Sequence, residues 1–137
     1  MAEIQKDRLV ALADAKLQDA KRLLQLGSGG NAYYLAGYAV ELMLKAILSG
    51  QFKADTLPDK SMLGRAFTHN FGDLVKLCHL EEDLQGRQKT DAEFAGRWQI
   101  ALSWKEASRY GEFGQDEAAD LIEAIEKGIL PWLRSKL

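Results

Sequence analysis

The chain has 137 residues, 47% hydrophobic and 28% charged, with 18 Lys+Arg against 20 Asp+Glu and a formal net charge of −2. That length makes one domain, residues 1–137, burying about two-thirds of its unfolded surface. The charge balance excludes a general nucleic-acid coat, which needs a dominating basic face, but leaves room for a local basic pocket.

Met1 to Arg8 run straight into a charged amphipathic pattern, so no secretory leader is expected and the cytoplasm is the default compartment. Leu9, Leu12/Ala13, Lys16/Leu17, Ala20 and Leu23/Leu24 recur at helical spacing and predict a first helix from about Glu3 to Leu26, stopped by Gly27. The short Ser28–Gly29–Gly30 turn sends the second helix back antiparallel, with Ser28 or Asn31 as its cap.

That second helix, Asn31 to Leu48, is apolar almost all round, as befits the middle of a bundle. It is too short and too charged for a membrane span, which needs roughly 20 apolar residues. Glu41 and Lys45 interrupt it four residues apart with the acid first, the favourable order for a pair on one helical face. Asn31, Tyr34 and Tyr38 extend the same face, so Tyr34–Tyr38–Glu41–Lys45 forms a polar seam on an otherwise buried rod. The seam is either a site or interface, or a satisfied pair inside the bundle. Gly37 beside the tyrosines costs the helix about 1 kcal/mol relative to Ala, which points to close approach of another backbone or to a weak spot.

Gln51 to Phe67 carries neither helical nor alternating pattern and reads as a long loop with Lys53, Lys60 and Arg65. Thr68–His69–Asn70 then caps a short helix through Leu74, Leu77 and Cys78. Thr90–Asp91–Ala92–Glu93 has the form of a capping box and opens a fourth helix with Phe94, Trp98, Ala101 and Leu102 inward. Lys105 to Gly114, with Arg109–Tyr110–Gly111, breaks the rhythm. The last helix runs from about Gln115, with Leu121/Ile122, Ile125, Ile129 and Trp132/Leu133 as its stripe and Pro131 as an interruption. The expected fold is all-α: an antiparallel four-helix bundle plus one short helix.

No familiar catalytic constellation stands out. Gly27–Ser28–Gly29–Gly30 lacks the lysine and preceding strand of a phosphate loop. No metal site is expected, because His69 and His79 are ten residues apart with no supporting motif, and the single Cys78 gives neither a disulfide nor a cysteine cluster. Cys78 reads as core, since the neighbouring His79 points elsewhere on a helix. His69, at the exit of the basic loop and four residues after Arg65, can act as acid or base near neutral pH, while an arginine can hold a phosphate; its plainer role is to cap a corner.

The segment Ala39 to Ala46, A-V-E-L-x-L-K-A, resembles the signature helix of HEPN domains, the higher eukaryotes and prokaryotes nucleotide-binding domains. Thr68–His69–Asn70 with Leu74 resembles their T-H-[DN]-x-x-x-L segment. Ser108–Arg109–Tyr110 resembles the R-Y before their last helix, and Ile125 to Leu133 their Trp-Leu ending. The resemblance implies a HEPN-like bundle, commonly a homodimer, that binds a nucleotide or RNA ligand or a partner, often beside a nucleotidyltransferase in a toxin–antitoxin pair. Many members are metal-independent ribonucleases using R-x(4–6)-H. Here Arg65 and His69 have three intervening residues, so the chain looks more like the non-ribonuclease branch. Catalytic candidates under the ribonuclease alternative are His69 with Arg65 or Arg109. Under the binding alternative the ligand residues are Lys45, Lys53, His69, Arg109 and Tyr110. Neither reading calls for a cofactor or a metal.

Overall fold

The computed structural model describes residues 4–52, 55, 57 and 59–137, and they are helical, with no strand among them. Helix α1 (Lys6–Gln25) buries Leu9, Ala13, Leu17 and Ala20, one stripe at helical spacing. It ends in a Schellman turn: Gly27 adopts φ 81°, Ser28 N–H donates to the Leu23 carbonyl at 2.8 Å, and Gly27 N–H to that of Leu24 at 3.1 Å. Helix α2 (Gly29–Ser49) follows at once, with Ser28 at its N-cap position and Asn31 Nδ2 donating to Ser28 Oγ at 3.1 Å.

Helix α2 is the axis of the molecule. Its Ala32, Ala36, Ala39, Val40, Met43, Leu44 and Ala46 are fully enclosed, which is why the sequence there is apolar on every side. It packs against α1, the last helix, the helix that follows the Thr68–Asn70 corner and the Arg109 turn. The closing rod comprises α7 (Gln115–Ala124), a π turn (Ile125–Ile129) and α8 (Leu130–Arg134). It starts beside the end of α1, where Gln115 Nε2 donates to the Leu24 carbonyl at 2.8 Å. It passes Lys21–Glu126 at 2.6 Å and finishes at Arg134–Asp14, so it runs antiparallel to α1. Pro131 has no N–H to give to the turn before it, and the π turn immediately upstream takes up that mismatch.

Between these long elements lie more helical segments than the four-plus-one reading allowed. α3 (Lys60–Ala66) forms within the expected loop, opened by Asp59, whose carboxylate accepts from Ser61 N–H at 3.3 Å. None of its side chains is fully buried, and only Met62 and Ala66 pack partly against the core, too short a stripe for periodicity to reveal. α4 (Phe71–Leu77) is the expected short helix, capped by Asn70, whose side chain accepts from Asp73 N–H at 3.0 Å. α5 (Glu81–Thr90) was not expected; only Leu84 of it is buried. α6 (Ala92–Leu102) begins one residue later than the capping-box reading: Thr90 ends α5, and Asp91 is the cap, accepting from Phe94 N–H at 3.0 Å. Phe94, Trp98 and Ala101 face inward as expected, but Leu102 is exposed. No helix among the described residues is long and apolar enough to cross a membrane.

Candidate functional site: a histidine held between two carboxylates

Local geometry brings three chain segments to one corner of α2. Helix α2 contributes Glu41, which is 1% exposed. The Thr68–Asn70 corner before α4 contributes His69. A 3₁₀ turn, Glu106–Tyr110, contributes Glu106 and Arg109.

One device fixes the turn against α2 and another closes it on itself. Trp104, just before it, donates from Nε1 to the Tyr34 carbonyl at 3.1 Å and stacks on Phe71 with centroids 5.1 Å apart. Its ring lies directly on Gly37, where a Cβ would overlap the indole. The glycine therefore admits a tryptophan side chain rather than another backbone. Ser108 closes the turn by accepting Lys105 N–H on its hydroxyl at 3.0 Å, while its own N–H donates to the Lys105 carbonyl at 2.8 Å.

Within this frame the polar groups form a chain. Glu41 Oε1 lies 2.8 Å from His69 Nδ1, and Glu41 Oε2 accepts from Lys45 Nζ at 3.3 Å. The other ring nitrogen, His69 Nε2, faces Glu106 Oε2 at 3.3 Å. Glu106 Oε1 faces Arg109 at 3.8 Å, and the Arg109 guanidinium lies 4.8 Å over the Tyr110 ring. A buried carboxylate is tolerable only when partners satisfy it, and both oxygens of Glu41 are engaged. Tyr38 stands one turn before Glu41 on α2. Burial first, then the nearby charge of Glu41, the Tyr34 phenol and Glu106, raises its phenol above the ordinary tyrosine range, so it stays a neutral donor. A hollow of about 300 Å³ opens beside His69, lined also by Asn70, Phe71, Leu102, Trp104, Lys105 and Glu106.

The structure sorts the residues singled out in the sequence. Glu41, Lys45, His69 and, through Glu106, Arg109 join one network. Lys45 enters it as the partner of Glu41, with its side chain 22% exposed, rather than as an open ligand contact. Tyr110 is 78% exposed beneath Arg109. Arg65 does not join His69. It sits on α3, donates from Nε to the Ser61 carbonyl at 3.3 Å, and lines a separate hollow of about 390 Å³ with Thr68, Lys76 and His79. Thr68 and His69 line different hollows, which separates Arg65 from the ring. Lys53 lies outside the described residues. Cys78 is core, its Sγ donating to the Leu44 carbonyl at 3.3 Å, and burial pushes its thiol up to about 12.

Glu106 is the site residue that sequence reading passed over. Its signal was the three-residue step to Arg109, which puts an acid and a base on one side of a tight turn. Among the described residues no group of three or more His, Cys, Asp or Glu side chains converges on a metal position. No family model, curated protein or solved structure matches the chain.

Proposed function

We propose that this chain is a HEPN-like helical module that binds a phosphate-bearing ligand, a nucleotide or an RNA strand, at the His69–Arg109 corner. One observation carries the reading: a single carboxylate, Glu106, faces both His69 Nε2 and Arg109. A place where an arginine and a ring nitrogen meet one oxyanion can take another: the arginine fork suits phosphate, and Nε2 donates when the ring is the imidazolium. The Glu106 contacts are long, 3.3 and 3.8 Å, and its side chain is 38% exposed, so a ligand phosphate displaces it at small cost. Glu41 is different. It is buried, and it holds the ring from behind so that Nε2 points to the corner. Lys105, on the rim of the adjoining hollow, adds a further cation.

A titration of the protein with uridine monophosphate and short RNA, at low and moderate salt, tests this. Binding is expected to weaken with salt, with a log–log slope of about −0.7 per phosphate contact for single strands, and to fall in His69→Ala and Arg109→Ala. Equal binding by wild type and both variants, or none by wild type, removes the corner as a phosphate site. The ribonuclease alternative draws on the same Glu41–His69 pair, because a carboxylate-oriented imidazole is suited to proton transfer. Of its two arginine candidates, Arg65 lines another hollow and Arg109 stands at the corner with His69. RNA cleavage that resists EDTA and disappears in His69→Ala selects that alternative; intact RNA selects the binding module.

A further inference from the structure

A third hollow, about 350 Å³, lies between α1 and α2 and is lined by Leu12, Lys16, Tyr34, Leu35, Tyr38 and Leu42. That volume lies within the usual range for ligand pockets. Its floor is apolar, with the two tyrosines in contact at 6.1 Å between centroids, and Lys16 stands at its α1 side. Tyr34, which lines this groove, stacks at 6.0 Å between centroids on Trp104, which lines the hollow beside His69. The Tyr34 carbonyl also accepts from Trp104 Nε1 at 3.1 Å, so the groove and the hollow beside His69 meet at this pair of rings. Tyr34 and Tyr38 are half-buried, each offering part of its ring to the groove.

We propose that this groove is a second subsite for a single-stranded polynucleotide, taking the base next to the phosphate bound at the corner and presenting the following phosphate to Lys16. The inference rests on the function proposed above and sharpens it: the ligand is a strand, not a mononucleotide. Three features favour a strand over any other occupant. Aromatic side chains beside a cation are what sequence-tolerant single-strand binding uses, because every base has a π face. Lys16 lines the groove and Arg109 stands at the corner, two cations for successive phosphates of an extended chain. No acidic side chain lines the groove itself.

The test compares uridine monophosphate with uridine and thymidine tetranucleotides on wild type, Lys16→Gln, Tyr38→Ala and Arg109→Ala. A tetranucleotide of either sugar is expected to bind at least about fivefold more tightly than the monophosphate, the gain that one stacked base supplies. Lys16→Gln is expected to abolish that gain while leaving monophosphate binding unchanged, Tyr38→Ala to abolish it as well, and Arg109→Ala to weaken both ligands. Lys16→Gln is a solvent-side change, so it reports on the groove even where Tyr38→Ala lowers stability. If monophosphate and tetranucleotides bind wild type equally, or Lys16→Gln retains the whole gain, the groove is not a subsite while the corner stands. If neither ligand binds, the corner fails as well.

Discussion

Glu41 and His69 are 28 positions apart in sequence and 2.8 Å apart in space, Oε1 to Nδ1, with the carboxylate buried and the ring partly open to solvent. This pair joins the central helix to the corner before α4. It explains why a charged residue occupies the most enclosed helix of the fold.

Removing it has a graded expected cost. Truncating one partner of a fully buried pair costs about 3–5 kcal/mol. Here Lys45 and His69 can both rehydrate, being 22% and 41% exposed at their side chains. Glu41→Ala is therefore expected to lose about 2–3 kcal/mol, mostly from the vacated space and lost hydrogen bonds. Glu41→Gln, which keeps the shape and one acceptor, is expected to lose less. Denaturant unfolding measures both. A Glu41→Ala midpoint equal to wild type would show the network contributes nothing to the fold.

Gly37→Ala provides a test of a different kind. Helix propensity alone favours Ala by about 1 kcal/mol. The new methyl group, however, would occupy the Trp104 ring, which Phe71 holds from the other side. Overpacking of about 1–3 kcal/mol is expected to outweigh propensity and to shift tryptophan fluorescence. A stabilised Gly37→Ala with unchanged fluorescence would mean that the indole is not seated there.

How much of this was readable in advance depended on what each residue packs against. The long helices announced themselves because α1 and α7 bury regular stripes and α2 is apolar nearly all round. α3 and α5 did not, because α3 buries no side chain fully and α5 only Leu84. Their helicity comes from local caps and charges that leave no periodic trace. Glu41–Lys45 was legible as an i, i+4 pair, and His69 as a corner residue, but nothing linear links them. Their meeting depends on how α4 docks on α2, which Cys78 Sγ on the Leu44 carbonyl and Gln51 Nε2 on the Cys78 carbonyl secure. Gly37 was legible as a close approach, but the approaching group, Trp104, lies 67 positions on.

Acid stability should show the tie between the closing rod and α5. Lys136 first, then Trp132 Nε1 at 2.7 Å, donate to Asp83 and hold its carboxyl below the ordinary range. A carboxyl lowered in the folded state contributes stability that is present above its unfolded pKa, about 3.9, and is lost as pH falls through the folded value. Asp83→Asn is therefore expected to flatten the stability–pH curve below about pH 4, with little change in its slope near neutrality. An unchanged acid limb would show that Asp83 is not paired in solution.

The HEPN-like reading also carries a homodimer. Leu63, Phe67, Ile100 and Leu102 expose apolar surface on α3, the residue after it and α6, with Phe67 at 75% exposure. A two-fold contact over these elements would cover them. Light scattering at micromolar concentration should give twice 15.3 kDa for wild type and a shift toward the single-chain mass for Phe67→Ser. Wild type at 15.3 kDa would end the dimer proposal.

The central claim is that Glu106 occupies the position of a ligand phosphate, between His69 Nε2 and Arg109. The most direct measurement is the affinity of wild type, Glu106→Gln and Arg109→Gln for one short RNA at a fixed low salt concentration. The amide keeps the size of the carboxylate but removes its charge, and one unit charge near a phosphate is worth about 1 kcal/mol even in water, about fivefold in affinity. The account predicts Glu106→Gln binding about fivefold tighter than wild type and Arg109→Gln weaker by at least as much. Glu106→Gln binding no better than wild type, with Arg109→Gln unchanged, would contradict it.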